Sequence, residues 1–356
     1  MEHTADPLPL VDERVAVWAA RAVVGGLAPG RDDADAAARL RADVARDLPA
    51  IDAAARSWSQ LGADLPPTTV RVVGRVGWVR ANLAGVRGAF EPLRERVTSS
   101  RVIASRVLGA QMGALFGLLS VKVLGQYVLP LGQRDDGRSV RGGGELLLVG
   151  PNVLSLAEER PELAGDVRRA VLLHEVTHRL QFDGTPWLGG HLQGLLDRYL
   201  HEARLEPTAL LDLAADLPKL VAQVRTSGDV RPLMDAVMTE EQRRVIDEAQ
   251  GLMSLLEGHG NAAMYGATEG VVDDPEGVRA HLASRRGDVT SKLLDAVAGM
   301  EMKRRQYREG ESFVDGVIAR AGVTGLNRAF ERPQHLPRVA EVADPEGWLA
   351  RVVASA

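Results

Sequence analysis

Two histidines four positions apart with a glutamate between them, in the run His174, Glu175, Val176, Thr177, His178, are the residues of this chain best suited to chemistry. They sit in residues 171–182, a stretch without glycine or proline, which predicts a helix. On a helix, positions four apart stack on one face, so both imidazoles leave the same side. Two neutral imidazoles so placed can hold one Zn²⁺ at about 2.0–2.1 Å each. Glu175 adjoins the first and reaches a metal-held water rather than the metal. Zinc lowers the pKa of that water to about 7, and a carboxylate then takes its proton as it attacks a carbonyl. The pattern points to metal-assisted hydrolysis with His174 and His178 as ligands and Glu175 as the base. The plainer alternative is an amphipathic helix whose histidines fill a polar-rimmed core position. However, Val171, Leu172 and Leu173 before the motif and Leu180 and Phe182 after it predict a buried helix. Buried imidazoles and a buried glutamate need partners, and a metal provides them.

A catalytic zinc takes three protein ligands and leaves its fourth position open. The chain has no cysteine, which excludes disulfides, iron–sulfur clusters, thiol catalysis and thiolate-held zinc. Histidine and carboxylate remain as metal ligands. The leading third ligand is Glu257, the one acid in the apolar, helix-compatible residues 252–264. Gly258 and Gly260 remove side chains beside it and allow close approach to a helix or a metal. Asn261, one helical turn on, shares the face of Glu257 and is placed to accept the second N–H of a ligand histidine. His259 is the rival third ligand, although its offset of two turns it about 200° from Glu257. A buried helix with a structural Glu–His pair is the alternative for this segment. Tyr265, His281 and Tyr307 are candidate stabilisers of a developing oxyanion, and the run Lys303, Arg304, Arg305, Gln306, Tyr307 reads equally as a basic helix face.

Elements must position these residues. Residues 11–27 fit a helix ended by Gly25 and Gly26, residues 32–61 an amphipathic pattern broken at Pro49, and residues 70–97 a further helical period. Residues 1–100 therefore read as an N-terminal helical region that supports the rest. Residues 101–356 read as the hydrolase domain, with a small sheet and the motif helix in 101–190 and a helical part carrying the third ligand in 191–356. Short β-leaning runs at 120–131 and 145–149 are separated by a mobile turn at 134–137 and 142–144. The run 145–149 either borders the motif helix, where it could pair with an extended substrate backbone, or is a plain sheet-core strand. Thr185, Pro186, Trp187 and Leu188 stop the motif helix, Gly189 and Gly190 form a flexible join, and residues 191–206 resume helical spacing. His201 and Glu202 imitate a second motif but have Leu205 where the second histidine belongs. Residues 239–248 read as a solvated helix face, and 278–330 as further helices. Pro333, Pro337 and Pro345 then break the C-terminal part into an irregular wrap that ends in a short helix at 346–354.

Composition narrows the partners. The 356 residues are 26% charged and 45% hydrophobic with a net charge of −5, ordinary for a soluble globular protein. That balance gives no bulk attraction to nucleic acid or anionic membrane. The N-terminus is acidic where a secretory signal would be basic. The most apolar stretch, residues 112–124, is too short and too broken by Gly113, Gly117 and Lys122 to span a bilayer. The expectation is a cytoplasmic protein with neither nucleic-acid nor membrane partners.

The chain resembles a family of bacterial, chiefly actinobacterial, zincin-like zinc-dependent metalloproteases or hydrolases, some of whose members carry a deazaflavin coenzyme biosynthesis label. The resemblance rests on Arg75, Gly77, Trp78 and Asn82, on Lys122 through Tyr127, on Pro151 and Asn152, and on the motif continued to Arg179, Leu180, Gln181 and Phe182. Pro186, Trp187 and Leu188 follow, then Leu256 to His259, Lys303 to Tyr307 with Gly310 and Phe313, and Asp344, Pro345 and Trp348. These landmarks run in order over most of the chain. They imply a mainly helical α+β fold, zincin-like, with a small sheet beside the motif helix and extensive helical N- and C-terminal parts. They also imply zinc at His174 and His178, Glu175 as base and Glu257 as the distant third ligand. The function expected is a zinc-dependent hydrolase, a metallopeptidase acting on a peptide or amide bond. The competing reading is a catalytically idle scaffold of the same fold with structural zinc or none. The intact Glu175 argues against it, since a structural site needs no base. A third reading is hydrolysis of a small non-peptide amide.

Overall fold

The computed structural model describes residues 10–28, 33–90, 101–132, 143–201, 239–285 and 301–354. The turn expected at 134–137, and Glu202 and Leu205, lie outside the described residues. Three short strands form the sheet, β1 (Val70–Val73), β2 (Gly125–Val128) and β3 (Glu145–Val149), in the order β1-β3-β2. β3 runs parallel to β1, with Val70 opposite Leu146, and antiparallel to β2, with Gly125 opposite Leu148. Leu146, Leu147, Leu148 and Val149 are all buried, the near-continuous apolar run expected of a strand covered on both faces. Residues 145–149 are thus the sheet-core strand. Both of its edges are taken, and among the described residues the outer edge of β2 is unpaired instead.

Helices α1 (Glu13–Leu27) and α2 (Ala34–Ser59) precede β1, and α3 (Arg75–Val86) and α4 (Arg101–Ser120) lie between β1 and β2. After β3 come α5 (Gly150–Glu159), α6 (Ala164–Gly184) and α7 (Leu188–His201). Then follow α8 (Glu240–Gly266), α9 (Pro275–Arg285), α10 (Glu301–Asn327), α11 (Val339–Val342) and α12 (Pro345–Ala354). The architecture is mainly helical with a small sheet, as the sequence predicts. Among the described residues no helix is long and apolar enough to cross a membrane.

Several local expectations change. Residues 70–73 are strand, not helix: three β-branched valines line up beside the edge of β3, and the helix starts only after Gly74. α2 runs straight through Pro49. Pro49 and Ala45, one turn before it, are both exposed, while Leu40, Val44, Ile51 and Ala55 keep one buried stripe on both sides of them. Gly25 and Gly26 fall inside the last turn of α1, and Gly189 and Gly190 inside the first turn of α7, whose Leu188 and Leu195 are buried. The irregular C-terminal wrap ending in a short helix is present as expected.

Among the described residues three apolar bodies hold these elements. One joins α2, α6 and one face of the sheet through residues such as Ile51, Leu148, Leu172 and Leu180. A second gathers Leu252 and Leu255 of α8, Phe313 of α10 and Trp348 of α12. The third lies on the other sheet face, where Trp78, Val79, Leu147 and Val149 meet Ala16 and Ala20. Because β1 and α2 supply both the sheet and the core behind α6, the division expected at residue 100 runs through one sheet.

Candidate functional site

The motif helix α6 is buried nearly all round, so each of its polar side chains has to be satisfied inside the protein. Thr177 donates to the Leu173 carbonyl at 2.7 Å. Arg179 donates to the Thr68 hydroxyl at 2.6 Å and the Pro66 carbonyl at 3.0 Å, and pairs with Asp183 at 3.2 Å. Asp183 in turn accepts the Tyr127 hydroxyl at 2.5 Å, which ties β2 to α6. Asn152 fixes the approach to β2 from the other end. Its amide donates to the carbonyls of Ser120 at 2.8 Å and Val123 at 2.6 Å, while its oxygen accepts from Arg75 at 2.9 Å.

On that frame His174 and His178 bring their Nε2 atoms to 3.0 Å, with the rings nearly perpendicular at 86°. Glu257, reaching over from α8, places Oε2 3.5 Å from His174 Nε2 and Oε1 3.8 Å from His178 Nε2. One donor atom from each of the three lies within 4.8 Å of the others. Two ligands at about 2.05 Å from a tetrahedral ion are about 3.3 Å apart, so these nitrogens are spaced as ligands of one ion. Facing lone pairs repel, and the gap between them requires a proton or a cation. Two neutral imidazoles and one carboxylate also make a donor set that suits zinc. The residues present fit a metal.

Gly260 makes the approach of α8 to α6 feasible. A Cβ there would stand 3.0 Å from His174 Cε1 and Nδ1 and 3.2 Å from His178 Cε1. Gly258 serves a different contact, against the Gly310 carbonyl of α10, where a Cβ would come to 2.6 Å. Glu175 turns from the imidazoles toward β2. A side chain at Gly125 would meet its Cγ at 2.6 Å and its Cδ at 2.7 Å, so the strand passes directly over the carboxylate.

Electrostatics sort the four groups. Burial raises the Glu175 carboxyl to about 7, opposed by His174 and reinforced by Glu257, and its Oε2 has no hydrogen-bond partner among the described residues. Burial opposes the charge on Glu257 too, yet the two imidazoles hold it well below the ordinary carboxylate range. Burial would lower His174, but the Glu257 carboxylate holds it above the usual histidine value. His178 is lowered by burial and by its neighbour His174.

The other sequence candidates stand elsewhere. His259 is fully buried and its Nδ1 lies 2.9 Å from Gln181 Nε2, with Trp58 and Phe330 packed at ring-centroid distances of 5.3 and 5.2 Å. It is therefore not among the converging donors. Asn261 lines the cleft but does not take the second N–H of either histidine. Gln181 takes that of His178, at 2.9 Å. The sequence reading missed Gln181, although its position three residues after His178 on the same helix face was a usable signal. Tyr265 sits under the Arg279 guanidinium, 4.5 Å from ring centroid to Cζ, and His281 is buried 3.9 Å from Glu159. Neither is among the residues lining the cleft. The Tyr307 side chain lies outside the described residues. The cleft itself has a volume of about 1010 Å³ and is walled by β2 on one side and by His174, Glu175, Glu257 and Met253 on the other.

None of the curated proteins matches the chain. Among solved structures it is similar to a candidate hydrolase with a novel fold from Chloroflexus aurantiacus, at 26% identity and a TM-score of 0.65, over 96% of this chain and 99% of the other. The model of the zincin-like metallopeptidase family matches residues 11–349. A match over nearly the whole length, with a His-His-Glu cluster at the centre of the fold, means that this chain belongs to the zincin-like metallopeptidase family.

Proposed function

We propose that the protein is a zinc-dependent peptidase, hydrolysing peptide or amide bonds, in which His174, His178 and Glu257 hold the ion and Glu175 handles the proton. The observation that carries this reading is the convergence of two Nε2 atoms 3.0 Å apart on the Glu257 carboxylate, beside a buried acid with an oxygen unpartnered among the described residues. A zinc ion held there supplies Lewis acidity and lowers the pKa of water. Glu175, pushed up to about 7, is poised to accept a proton at Oε2 and to return it to a leaving amine. Burial of the site removes competing water and strengthens each of these interactions. A peptide substrate, rather than a small amide, is supported by the shape of the cleft. Its roughly 1010 Å³ is at the upper end of small-molecule sites. The edge of β2 along its wall, unpaired among the described residues, offers backbone groups to an extended chain.

The test is turnover of unstructured peptides by zinc-loaded protein. Glu175→Gln is expected to retain zinc and to lose about 10²–10⁴-fold in rate. Turnover at the native rate in that variant would remove Glu175 from the reaction. Hydrolysis of small amides without any peptide cleavage would move the assignment to a non-peptide substrate. A zinc-loaded protein that cleaves neither would favour the scaffold reading.

A further inference from the structure

The polar side chains behind the three converging donors form a chain of bonds that has one consistent solution. It starts at the backbone carbonyl of Leu256, the residue before Glu257, which can only accept. Gln181 lies 3.0 Å from it through its amide nitrogen, so that end of the side chain is Nε2 and the other end is the oxygen. The second amide hydrogen points to His259 Nδ1 at 2.9 Å, which must then be an acceptor. Gln181 Oε1, 2.9 Å from His178 Nδ1, can only accept as well, so His178 carries its proton on Nδ1. The lone pair of His178 is thereby left on Nε2, the atom that faces His174 and Glu257.

We propose that Gln181 and His259 are positioning residues that preset the tautomer and ring orientation of His178, so that its Nε2 meets the ion ready to bind. The proposal rests on the reading that His174, His178 and Glu257 hold zinc. It extends that reading to two side chains that touch neither metal nor substrate. His259 fits the task because it is fully buried and held between Trp58 of α2 and Phe330 near the C-terminal end. A ring so clamped cannot turn away from Gln181 without disturbing both apolar bodies. The helix that brings Glu257 to the cluster, α8, also supplies the carbonyl and the imidazole that orient Gln181. One helix thus delivers the third donor and prepares the second. His174 is set differently, since its Nδ1 faces the backbone at Gly260 rather than a side chain.

The experiment has two readouts on the full-length chain, neither of which needs a substrate. Long-range ¹H–¹⁵N correlation of the imidazoles in metal-free protein reads the His178 tautomer directly. The expected form is protonated at Nδ1. Zinc affinity, measured by competition with a chelator, is expected to fall about 10–100-fold in Gln181→Met and in His259→Phe, the range typical of partners behind a ligand. His259→Phe keeps a ring between Trp58 and Phe330 and so separates orientation from packing. The double variant is expected to bind zinc no more weakly than Gln181→Met alone, since both act through one bond chain. A native His178 protonated at Nε2 would overturn the proposal, as would a folded Gln181→Met protein with native zinc affinity or fully additive losses in the double variant. If native protein takes up no zinc, the metal reading falls, while the tautomer measurement still decides the relay.

Discussion

Gly260 presses its bare Cα against the His174 imidazole: a methyl group there would stand 3.0 Å from both Nδ1 and Cε1 of the ring. The ring would have to give by a few tenths of an ångström, and it is one of the converging donors. Gly260→Ala is therefore expected to weaken zinc binding about 10-fold or more, comparable to loss of a partner behind a ligand. Gly258→Ala is the control. Its methyl would meet the Gly310 carbonyl at 2.6 Å, so it should destabilise the α8–α10 crossing by about 1–3 kcal/mol. Zinc affinity of the folded fraction should stay native. Chelator competition and urea unfolding on both variants check this, and identical behaviour of the two would contradict it.

Gly125 stands in the same relation to the proposed base. A side chain there would come to 2.6 Å from Glu175 Cγ and 2.7–2.9 Å from its carboxylate, and drive the carboxylate from its place. Gly125→Ala should lower kcat about 10²-fold, the scale of an ångström-sized misplacement of a reacting group. Zinc content should remain unchanged, because no donor touches Gly125. Loss of zinc together with rate would show that the strand supports the cluster rather than the base.

Asn152 joins three pieces of backbone and side chain ahead of β2. Asn152→Ala removes its bonds to the Ser120 and Val123 carbonyls and to Arg75, at an expected cost of about 1–3 kcal/mol. Because β2 passes over Glu175, rate should fall as well, whereas zinc affinity should hold. Denaturant unfolding and peptide turnover measure the two effects separately.

The buried imidazole of His259 gives a pH dependence of stability whose sign follows from its environment. Burial pushes it down to about 3, and repulsion from His178 once that ring is protonated acts in the same direction. In the unfolded chain it titrates at about 6.5. Between these values the unfolded chain binds a proton that the folded one does not. Its contribution to stability is thus complete above about pH 6.5 and is lost as pH falls toward about 3, at about 1.4 kcal/mol per unit. His259→Phe lacks this group. In chelator, urea unfolding from pH 7 to 4 should show a shallower fall for the variant than for the native protein. Parallel slopes would mean that His259 is not buried neutral.

What the sequence made legible follows the range of the interactions involved. His174, Glu175 and His178 sit on one turn of one helix, so their spacing is a local fact. Glu257 could be singled out because a lone acid in an apolar run needs a distant partner. The choice against His259 rested on helix phase, and the structure brings Glu257 to the imidazoles and turns His259 toward Gln181. Gln181 escaped notice because a glutamine after the motif reads as ordinary polarity until Leu256 and His259 are seen opposite it, some seventy-five residues on. The four residues of β1 hold no full period and so fit the helical pattern around them, and only the partner edge of β3 decides for strand. Pro49 misled for a similar reason. The penalty of a proline is local, but the buried stripe that overrides it belongs to the tertiary packing. Landmarks such as Arg75, Asn152 and Trp187 mark joints: Trp187 donates to the Phe330 carbonyl at 3.0 Å, tying the turn after α10 to the start of α7.

The most direct test of the account is a zinc titration of metal-free protein, read by calorimetry or chelator competition. The native chain and Glu175→Gln should each take up about one equivalent with similar affinity. His174→Ala, His178→Ala and Glu257→Ala should bind at least about 100-fold more weakly while remaining folded. A folded Glu257→Ala protein that binds zinc as tightly as the native chain would contradict the account, because the acid from α8 would then have no part in holding the metal.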